Sequence, residues 1–276
     1  MDDSPDIRAI ARFVDLPDRG VRLCVARGGD GPNERTGRPV VIANGTGSDL
    51  RNRPSPLEWP IARSFEILAF DHRGLGRSEQ FDANEQPTMQ DFALDLLALT
   101  ESEGIDEFDL IGVSFGGMVA QEVAIHGRDR VASLVLCCTS SGGDGGSSYP
   151  LHELYGEGRG LDERLDLWDT RAAHDERLAA QLAKIFAQRD RAAITPIGLQ
   201  RQVEARRHHD TWERLGLIEA DTLVACGEYD GVAPIENGRR LAAAIDGAEF
   251  ASFEGGHGFL YQDRSAWPHI IDFLVN

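Results

Sequence analysis

A serine between two glycines is the residue of this sequence whose setting most strongly suggests chemistry. Gly112 and Gly116 stand two residues before and two residues after Ser114 in the run GVSFG. Apolar residues precede the run and an amphipathic stretch follows it, so the glycines fit a sharp strand-to-helix turn that exposes the serine oxygen. A helix start also offers free backbone N–H groups to a developing anion. The pattern predicts a nucleophilic serine; an incidental serine in a tight turn is the alternative.

A serine hydroxyl is a weak nucleophile at neutral pH, so it needs a base that is itself oriented by an acid. Two later loops supply these groups in the expected chain order. Asp230 lies in GEYDGVAP and His257 in EGGHGF, each after an apolar run. Taken alone, the aspartate is typical of a turn and the histidine of a surface loop. Together with Ser114 they predict a triad, in which Glu228 and Asp144 are weaker candidates for the acid.

These residues require a scaffold in which several strands end at one edge. Short apolar runs recur with helical stretches between them, which is typical of a parallel sheet covered on both faces. Residues around 7–14 and 21–27 predict two leading strands. The later runs are VVIA (40–43), ILAF (67–70), DLIGV (109–113), LVLCC (134–138), TLVACG (222–227) and FASFE (250–254). The prediction is an α/β fold with a mostly parallel, doubly wound sheet of eight strands, whose carboxyl ends carry the site.

The alternation of strands and helices stops between about residues 140 and 214. This stretch opens with a polar connector rich in glycine and serine and then shows helical spacing. The two helical series are Leu161, Leu165 and Trp168, and Leu178, Leu182 and Ile185. We predict a helical cap over 140–214, inserted into a core formed by 1–139 and 215–276. Its aromatic residues are candidates to line a pocket, although aromatics at helical spacing more often belong to a core: Tyr149, Tyr155, Trp168, Phe186 and Trp212.

Composition argues against several other classes of protein. The net charge of −18 over 276 residues leaves no basic surface for nucleic acid. No apolar run approaches the roughly 20 residues of a membrane span, and the start MDDSPDIR lacks the features of a targeting signal, so we expect a cytoplasmic protein. The four cysteines lack metal-ligand spacing and are predicted to be buried free thiols. No dinucleotide or phosphate-loop motif is present, so no cofactor and no metal are expected. The sequence leaves open whether the protein forms a homo-oligomer.

Other basic residues of the inserted stretch receive no catalytic role. His208 and His209 would point about 100° apart on a helix, so a shared metal ion is not expected and a solvated helix face is the better interpretation. Arg201, Arg206 and Arg207 are likewise expected to be surface charges. The alternative is that one of these arginines reaches the pocket and binds a substrate carboxylate.

Taken together, the motifs resemble those of the α/β-hydrolase superfamily. The resemblance runs from about residue 20 to the C terminus. It is carried by GVSFGG, the loop FDHRGLGRS, the loop GEYDGVAP and the GGH near the end. It implies Ser114 as nucleophile, Asp230 as acid and His257 as base, and it assigns His72 and Arg73 to a structural loop without chemistry.

One departure concerns the loop after the third strand. Many members carry His-Gly there, whereas this chain has NGTG. The segment ANGTGSDLR is similar to that of members resembling 3-oxoadipate enol-lactonase. This resemblance implies an oxyanion hole made by the backbone N–H groups of Phe115 and Thr46. The side chain of Asn44 would brace the loop or serve as a turn residue.

The resemblance implies a serine hydrolase that cleaves a carboxylic ester or lactone through an acyl-enzyme intermediate, without metal or organic cofactor. Carbon–carbon bond hydrolases of the meta-cleavage type and cofactor-free haloperoxidase-like members share the triad, and fold alone does not separate them. An aspartate nucleophile, as in epoxide hydrolases and dehalogenases, is disfavoured because position 114 is serine. A small-molecule binding protein on the same fold and an acyltransferase are further alternatives.

Overall fold

A central sheet organises the chain in the computed structural model, which describes residues 10–31, 36–82, 84–187 and 196–276. Its strands are β1 (Arg12–Leu16), β2 (Val21–Gly28), β3 (Val40–Ala43), β4 (Ile67–Phe70), β5 (Phe108–Val113), β6 (Val131–Cys137), β7 (Asp221–Gly227) and β8 (Glu249–Phe253). Their order is β1-β2-β4-β3-β5-β6-β7-β8. β2 runs antiparallel to β1 and β4, and the other neighbouring pairs are parallel. The predicted α/β fold with a mostly parallel sheet of eight strands is confirmed.

Helices cover both faces of this sheet. They are α1 (Met89–Ser102), α2 (Phe115–His126), α3 (Leu151–Gly156), α4 (Leu165–Trp168), α5 (Glu176–Ala187), α6 (Pro196–Arg207), α7 (Ile235–Ala244), α8 (Phe259–Gln262) and α9 (Ala266–Val275). The start of α1 is fixed by a capping box, in which Thr88 and Asp91 exchange side-chain to backbone hydrogen bonds. None of the described helices combines the length and the apolar character needed to cross a membrane.

The core around the sheet divides into two clusters, one on each face, and two smaller clusters involve the inserted stretch between β6 and β7. Because side chains alternate along a strand, β3 sends Val41 into one cluster and Ile42 into the other. The first cluster packs against α1, α2 and α7, and the second packs against α9. All four cysteines are buried free thiols within these clusters or at their edge, as predicted.

Helices α3 to α6 lie between β6 and β7, within the stretch 140–214 that we call the inserted segment. Over its described residues, 140–187 and 196–214, no strand is formed beyond an isolated bridge between Gly142 and Asp210. Two details differ from the sequence prediction. The first helical series is divided between a short 3-10 helix (Leu161–Glu163) and α4. In α5, Phe186 is buried beside Leu182, whereas Ile185 is 42% exposed.

Candidate active site

The turn from β5 into α2 carries Ser114 in a backbone conformation that is rare outside glycine. Its φ is 56° and its ψ is −114°, a geometry that costs on the order of 1–3 kcal/mol and clusters at functional sites. The flanking glycines permit it. A Cβ atom on Gly116 would lie 1.9 Å from the carbonyl oxygen of Ala43, and one on Gly112 would lie 2.5 Å from the carbonyl oxygen of Gly116. Neighbouring backbone atoms therefore leave no room for a Cβ atom at either position, and only glycine fits there.

The end of β6 holds this turn in place. The backbone N–H of Ser114 donates to the carbonyl oxygen of Cys137 at 2.9 Å. The Thr139 hydroxyl donates to the carbonyl oxygen of Ser114 at 2.8 Å. Both bonds are buried, so the strained residue is fixed on either side of its Cα atom and its hydroxyl has a defined direction.

The three side chains predicted from the sequence come together in one hydrogen-bonded relay. Ser114 Oγ lies 2.9 Å from His257 Nε2, and His257 Nδ1 lies 2.8 Å from Asp230 Oδ2. The second carboxylate oxygen accepts backbone N–H bonds from Val232 and Ala233, each at 2.8 Å. Each member of the relay is less than a tenth exposed. A carboxylate at Nδ1 favours the tautomer that leaves Nε2 free to accept the serine proton.

Strand order explains why these distant residues meet. Ser114 directly follows β5, Asp230 follows β7 and His257 follows β8, and these strands are parallel. Their carboxyl ends therefore lie at one edge of the sheet. The weaker acid candidates, Glu228 and Asp144, are exposed at the surface.

The loop after β3 lies beside the serine because β3 is the neighbour of β5. A Cβ atom on Gly45 would lie 3.5 Å from Ser114 Cβ, and Thr46 and Asn44 line the same cavity as the serine. Phe115 is the first residue of α2, so its N–H has no acceptor within the helix. The two residues proposed as oxyanion donors therefore belong to segments that adjoin Ser114.

The contacts of His72 and Arg73 fit the structural role that the resemblance implies. His72 is buried, its Nε2 lies 3.2 Å from the carbonyl oxygen of Asn44, and its ring meets that of Phe115 edge-on. Burial lowers the pKa of His72 to about 4, so the ring is neutral at neutral pH. Arg73 is paired with the buried carboxylate of Asp95.

A cavity of about 440 Å³ opens onto the relay. The inserted segment and the core both contribute to its wall, and three of the five aromatics of the inserted segment are among the lining residues. They are Tyr155, Trp168 and Phe186. The Trp168 ring meets the His257 ring edge-on, with 5.3 Å between centroids. A second cavity of about 190 Å³ shares Trp59, Trp168 and Tyr261 with the first. The space at the serine therefore suits an organic group with apolar parts.

One group of potential metal ligands occurs among the described residues: Cys138, Asp230 and His257, with ligand atoms within 4.8 Å of one another. Two of its members already form the relay, and the Asp230 oxygens already accept hydrogen bonds. Burial raises the pKa of the Cys138 thiol well above its usual value, and it is the thiolate that binds metal. The chemistry of this group favours proton transfer over metal binding.

Two sequence predictions about the inserted segment are wrong: His209 and Arg206 were both expected to lie at the surface. His209 is buried, whereas His208 is exposed and lies beside Glu204. Arg206 is also buried; within the described residues its Nε and Nη2 have no hydrogen-bond partner, and burial lowers its pKa to about 10. Sequence analysis also missed Gln202, which is fully buried. The spacing of 202 and 206 at i and i+4 marks one face of α6, a signal that went unused because both residues are polar. His209 lies just past the end of this helix.

The sequence and the fold match known proteins over most of the chain. A family model described as alpha/beta hydrolase fold matches residues 38–263. The chain is 26% identical over 286 residues to a 2-hydroxy-6-oxononadienedioate/2-hydroxy-6-oxononatrienedioate hydrolase of Klebsiella pneumoniae, covering 97% of this chain and 96% of that protein. It is 27% identical over 261 residues to a putative carbamate hydrolase, RutD, of Variovorax paradoxus, covering 87% and 92% respectively. The fold is similar to that of an enol-lactonase from Burkholderia xenovorans LB400, with a TM-score of 0.78 and 24% identity over 96% of this chain and 100% of the other.

Proposed function

The chain belongs to the α/β-hydrolase family, and we propose that it is a serine hydrolase that cleaves a carboxylic ester or lactone through an acyl-enzyme intermediate. One observation carries this proposal. The oxygen of a strained serine, the ring of a histidine and a buried carboxylate form a continuous relay, with 2.9 Å and 2.8 Å between successive partners, at the wall of a cavity. This geometry is what nucleophilic activation of a hydroxyl requires.

In the proposed reaction, His257 Nε2 takes the proton of Ser114 as Oγ attacks the substrate carbonyl carbon. Asp230 stabilises the imidazolium that forms. The N–H groups of Phe115 and Thr46 donate to the carbonyl oxygen as it becomes negative. His257 then protonates the leaving alcohol oxygen, and the acyl group remains on the serine.

A water molecule completes the cycle. His257 removes a proton from the water as it attacks the acyl carbon, and the proton returns to Ser114 Oγ as the acid leaves. In a lactone the leaving alcohol remains part of the acyl chain, so the product is a hydroxy acid. Every proton transfer uses a group of this chain, and the sequence offers no motif for a cofactor.

We further propose that the inserted segment, 140–214, acts as a cap that shapes the substrate. Three aromatic side chains of this segment and Leu199 of α6 line the cavity opposite the strand ends. Because they are large and apolar, they favour an acyl or alcohol group with an apolar portion.

Carbon–carbon bond hydrolysis is the second candidate function. The observation that favours it is the match of almost the full chain to hydrolases of 2-hydroxy-6-oxo acids. The same relay would act on a ketone carbonyl, and the proton would pass to a carbon leaving group in place of an alcohol oxygen.

A substrate panel tests both candidates. It contains p-nitrophenyl esters of rising acyl length, several lactones and a 2-hydroxy-6-oxo-dienoate, each assayed with wild type, Ser114→Ala and Ser48→Ala. Ser48 also lines the cavity but lies outside the relay, so it is the matched control. We expect Ser114→Ala to fold and to lower kcat by about 10⁶-fold, with Ser48→Ala close to wild type.

Each outcome of the panel separates the candidates. Turnover of esters or lactones that depends on Ser114 supports the proposal. Turnover of the dienoate alone would move the assignment to carbon–carbon hydrolysis. No turnover, together with no covalent adduct from a serine-directed phosphonate, would refute catalysis by this serine and favour a binding protein.

A further inference from the structure

A short part of the inserted segment is bonded to both loops that carry the proposed acid and base. We call residues 167–170 the strap. Its main chain forms one hydrogen bond with the base loop and two with the acid loop. His257 N–H donates to Trp168 O (2.6 Å), Gly231 N–H donates to Leu167 O (3.0 Å), and Thr170 N–H donates to Tyr229 O (2.9 Å). The strap therefore bridges the two loops at the level of the relay.

The glycines around Asp230 and His257 leave space for the strap. A Cβ atom on Gly256 would lie 2.1 Å from the carbonyl oxygen of Trp168, and one on Gly258 would lie 2.7 Å from the Trp168 indole nitrogen. On Gly231, a Cβ atom would lie 2.9 Å from Leu167 Cα. The glycine-rich character of both loops is thus explained by close packing against the inserted segment.

Asp169, within the strap, is a fully buried carboxylate. Arg171 donates to it from its backbone at 3.1 Å and from two guanidinium nitrogens at 3.0 and 2.8 Å. Gln262 donates to it through Nε2 at 2.9 Å, and Oε1 of the same amide accepts the N–H of Gly256 at 2.8 Å. A directional series of hydrogen bonds therefore runs from Asp169 through Gln262 to the backbone N–H of Gly256, the residue before His257.

We propose that Asp169 is a positioning residue for His257, acting through Gln262. This inference rests on the proposed function, in which His257 exchanges protons with Ser114. The strap fixes the backbone N–H of His257, and the bonds from Asp169 through Gln262 fix the backbone N–H of Gly256, the residue before it. Together they hold Nε2 at 2.9 Å from the serine oxygen.

The donors and acceptors along the hydrogen bonds from Asp169 through Gln262 to Gly256 allow a specific test. With Asp169→Asn, an amide N–H₂ replaces one carboxylate oxygen. Arg171 donates to both oxygens and Gln262 donates to Oδ2, so the N–H₂ meets a donor in either orientation. At least one hydrogen bond to this side chain is lost either way. Adding Gln262→Glu supplies an acceptor at both ends of the side chain and restores the pattern, with no change in the formal charge of the pair.

We expect Asp169→Asn to lower kcat about 10- to 100-fold with KM little changed, because small displacements of a catalytic base cost rate more than binding. Gln262→Glu alone should also lower kcat, since it sets two carboxylates against each other. The double variant should recover most of the lost kcat. Asp166→Asn is the matched control: Asp166 lies in the same segment and pairs with an arginine two residues away, Arg164, but it is partly exposed.

Thermal unfolding and the rate at which a serine-directed phosphonate labels Ser114 are measured on all variants. A double variant no faster than Asp169→Asn would overturn the positioning role, as would a loss of stability with unchanged kcat per folded molecule. The labelling rate separates this inference from the proposed function. If wild type is labelled but turns over no ester or lactone, the proposed substrate class fails, and the labelling rates still decide whether Asp169 positions His257.

Discussion

The side chain of Gln202, in α6 of the inserted segment, accepts a hydrogen bond from the backbone N–H of Gly47, with 2.9 Å between Oε1 and the amide nitrogen. Gly47 has a φ of 67°, in the left-handed region that glycine adopts readily. It directly follows Thr46, whose N–H is one of the two proposed oxyanion donors. The inserted segment therefore contacts the loop after β3 as well as the acid and base loops.

Replacing this amide is expected to slow catalysis. Gln202→Leu leaves the buried N–H of Gly47 without an acceptor and frees the loop that carries Thr46, so kcat should fall about tenfold while KM changes little, because oxyanion contacts strengthen in the transition state. Steady-state kinetics on the preferred substrate measures this. Gln181→Leu, at an exposed position of α5, is the control. A rise in KM at constant kcat would show that Gln202 shapes the pocket without acting on the loop.

The glycine after the serine should tolerate no side chain. Gly116→Ala places a Cβ atom 1.9 Å from the carbonyl oxygen of Ala43, so the turn must shift. We expect a loss of about 1–3 kcal/mol in the free energy of unfolding and loss of phosphonate labelling at Ser114. Gly156→Ala is the control, since a Cβ atom there has no neighbour within 4 Å. Normal labelling of Gly116→Ala would mean that the turn does not hold the serine in place.

The buried guanidinium of Arg206 is expected to contribute little to stability or to oppose it. Within the described residues, Nε and Nη2 have no hydrogen-bond partner. Burial lowers the pKa of the group to about 10, and the Tyr155 and Asp230 side chains offset this effect only in part. Arg206→Met keeps the length of the side chain and removes the charge, so the free energy of unfolding near neutral pH should stay constant or rise by up to about 2 kcal/mol. Denaturant titration measures it, with the exposed Arg207→Met as control. Clear destabilisation by Arg206→Met alone would mean that the attraction between this cation and the buried Asp230 carboxylate outweighs the cost of burial.

Local sequence signals were sufficient for the sheet and for the three relay residues. Apolar runs placed the later strands to within a few residues, and spacing around Ser114 indicated the sharp turn that the backbone adopts. Asp230 and His257 were identifiable because each follows a strand of the same parallel sheet. These features depend on residues close together in the chain, so a linear sequence can display them.

The inserted segment was harder to predict, because its contacts join residues far apart in sequence. Helical periodicity assumes that buried positions are apolar, and α6 buries Gln202 and Arg206, with His209 buried just after it. The bond between Trp168 and His257 has no local signal at all. The glycines near His257 gave an indirect sign of close packing, without showing what packs there.

Acid is expected to destabilise the fold through His209. Burial lowers its pKa from 6.5 to about 4, so the ring stays neutral in the folded protein while the unfolded chain takes up a proton. Stability is therefore unaffected above about pH 6.5, falls by at most about 1.4 kcal/mol per pH unit as the pH drops toward 4, and levels off below it. The charges of Glu122 and Asp210 raise the pKa of His209 and so oppose the effect of burial, whereas the charge of Arg214 lowers this pKa further.

Free energies of unfolding at about pH 7 and about pH 4.5 test this for wild type, His209→Gln and His208→Gln. The difference between the two pH values should be smaller in His209→Gln than in wild type by about 2 kcal/mol. His208 is exposed, so His208→Gln should match wild type. His72, whose pKa is also lowered to about 4, contributes with the same sign in all three proteins and cancels from the comparison. Equal differences in wild type and His209→Gln would mean that the folded protein protonates His209 as readily as the unfolded chain does, with Glu122 and Asp210 offsetting the cost of burial.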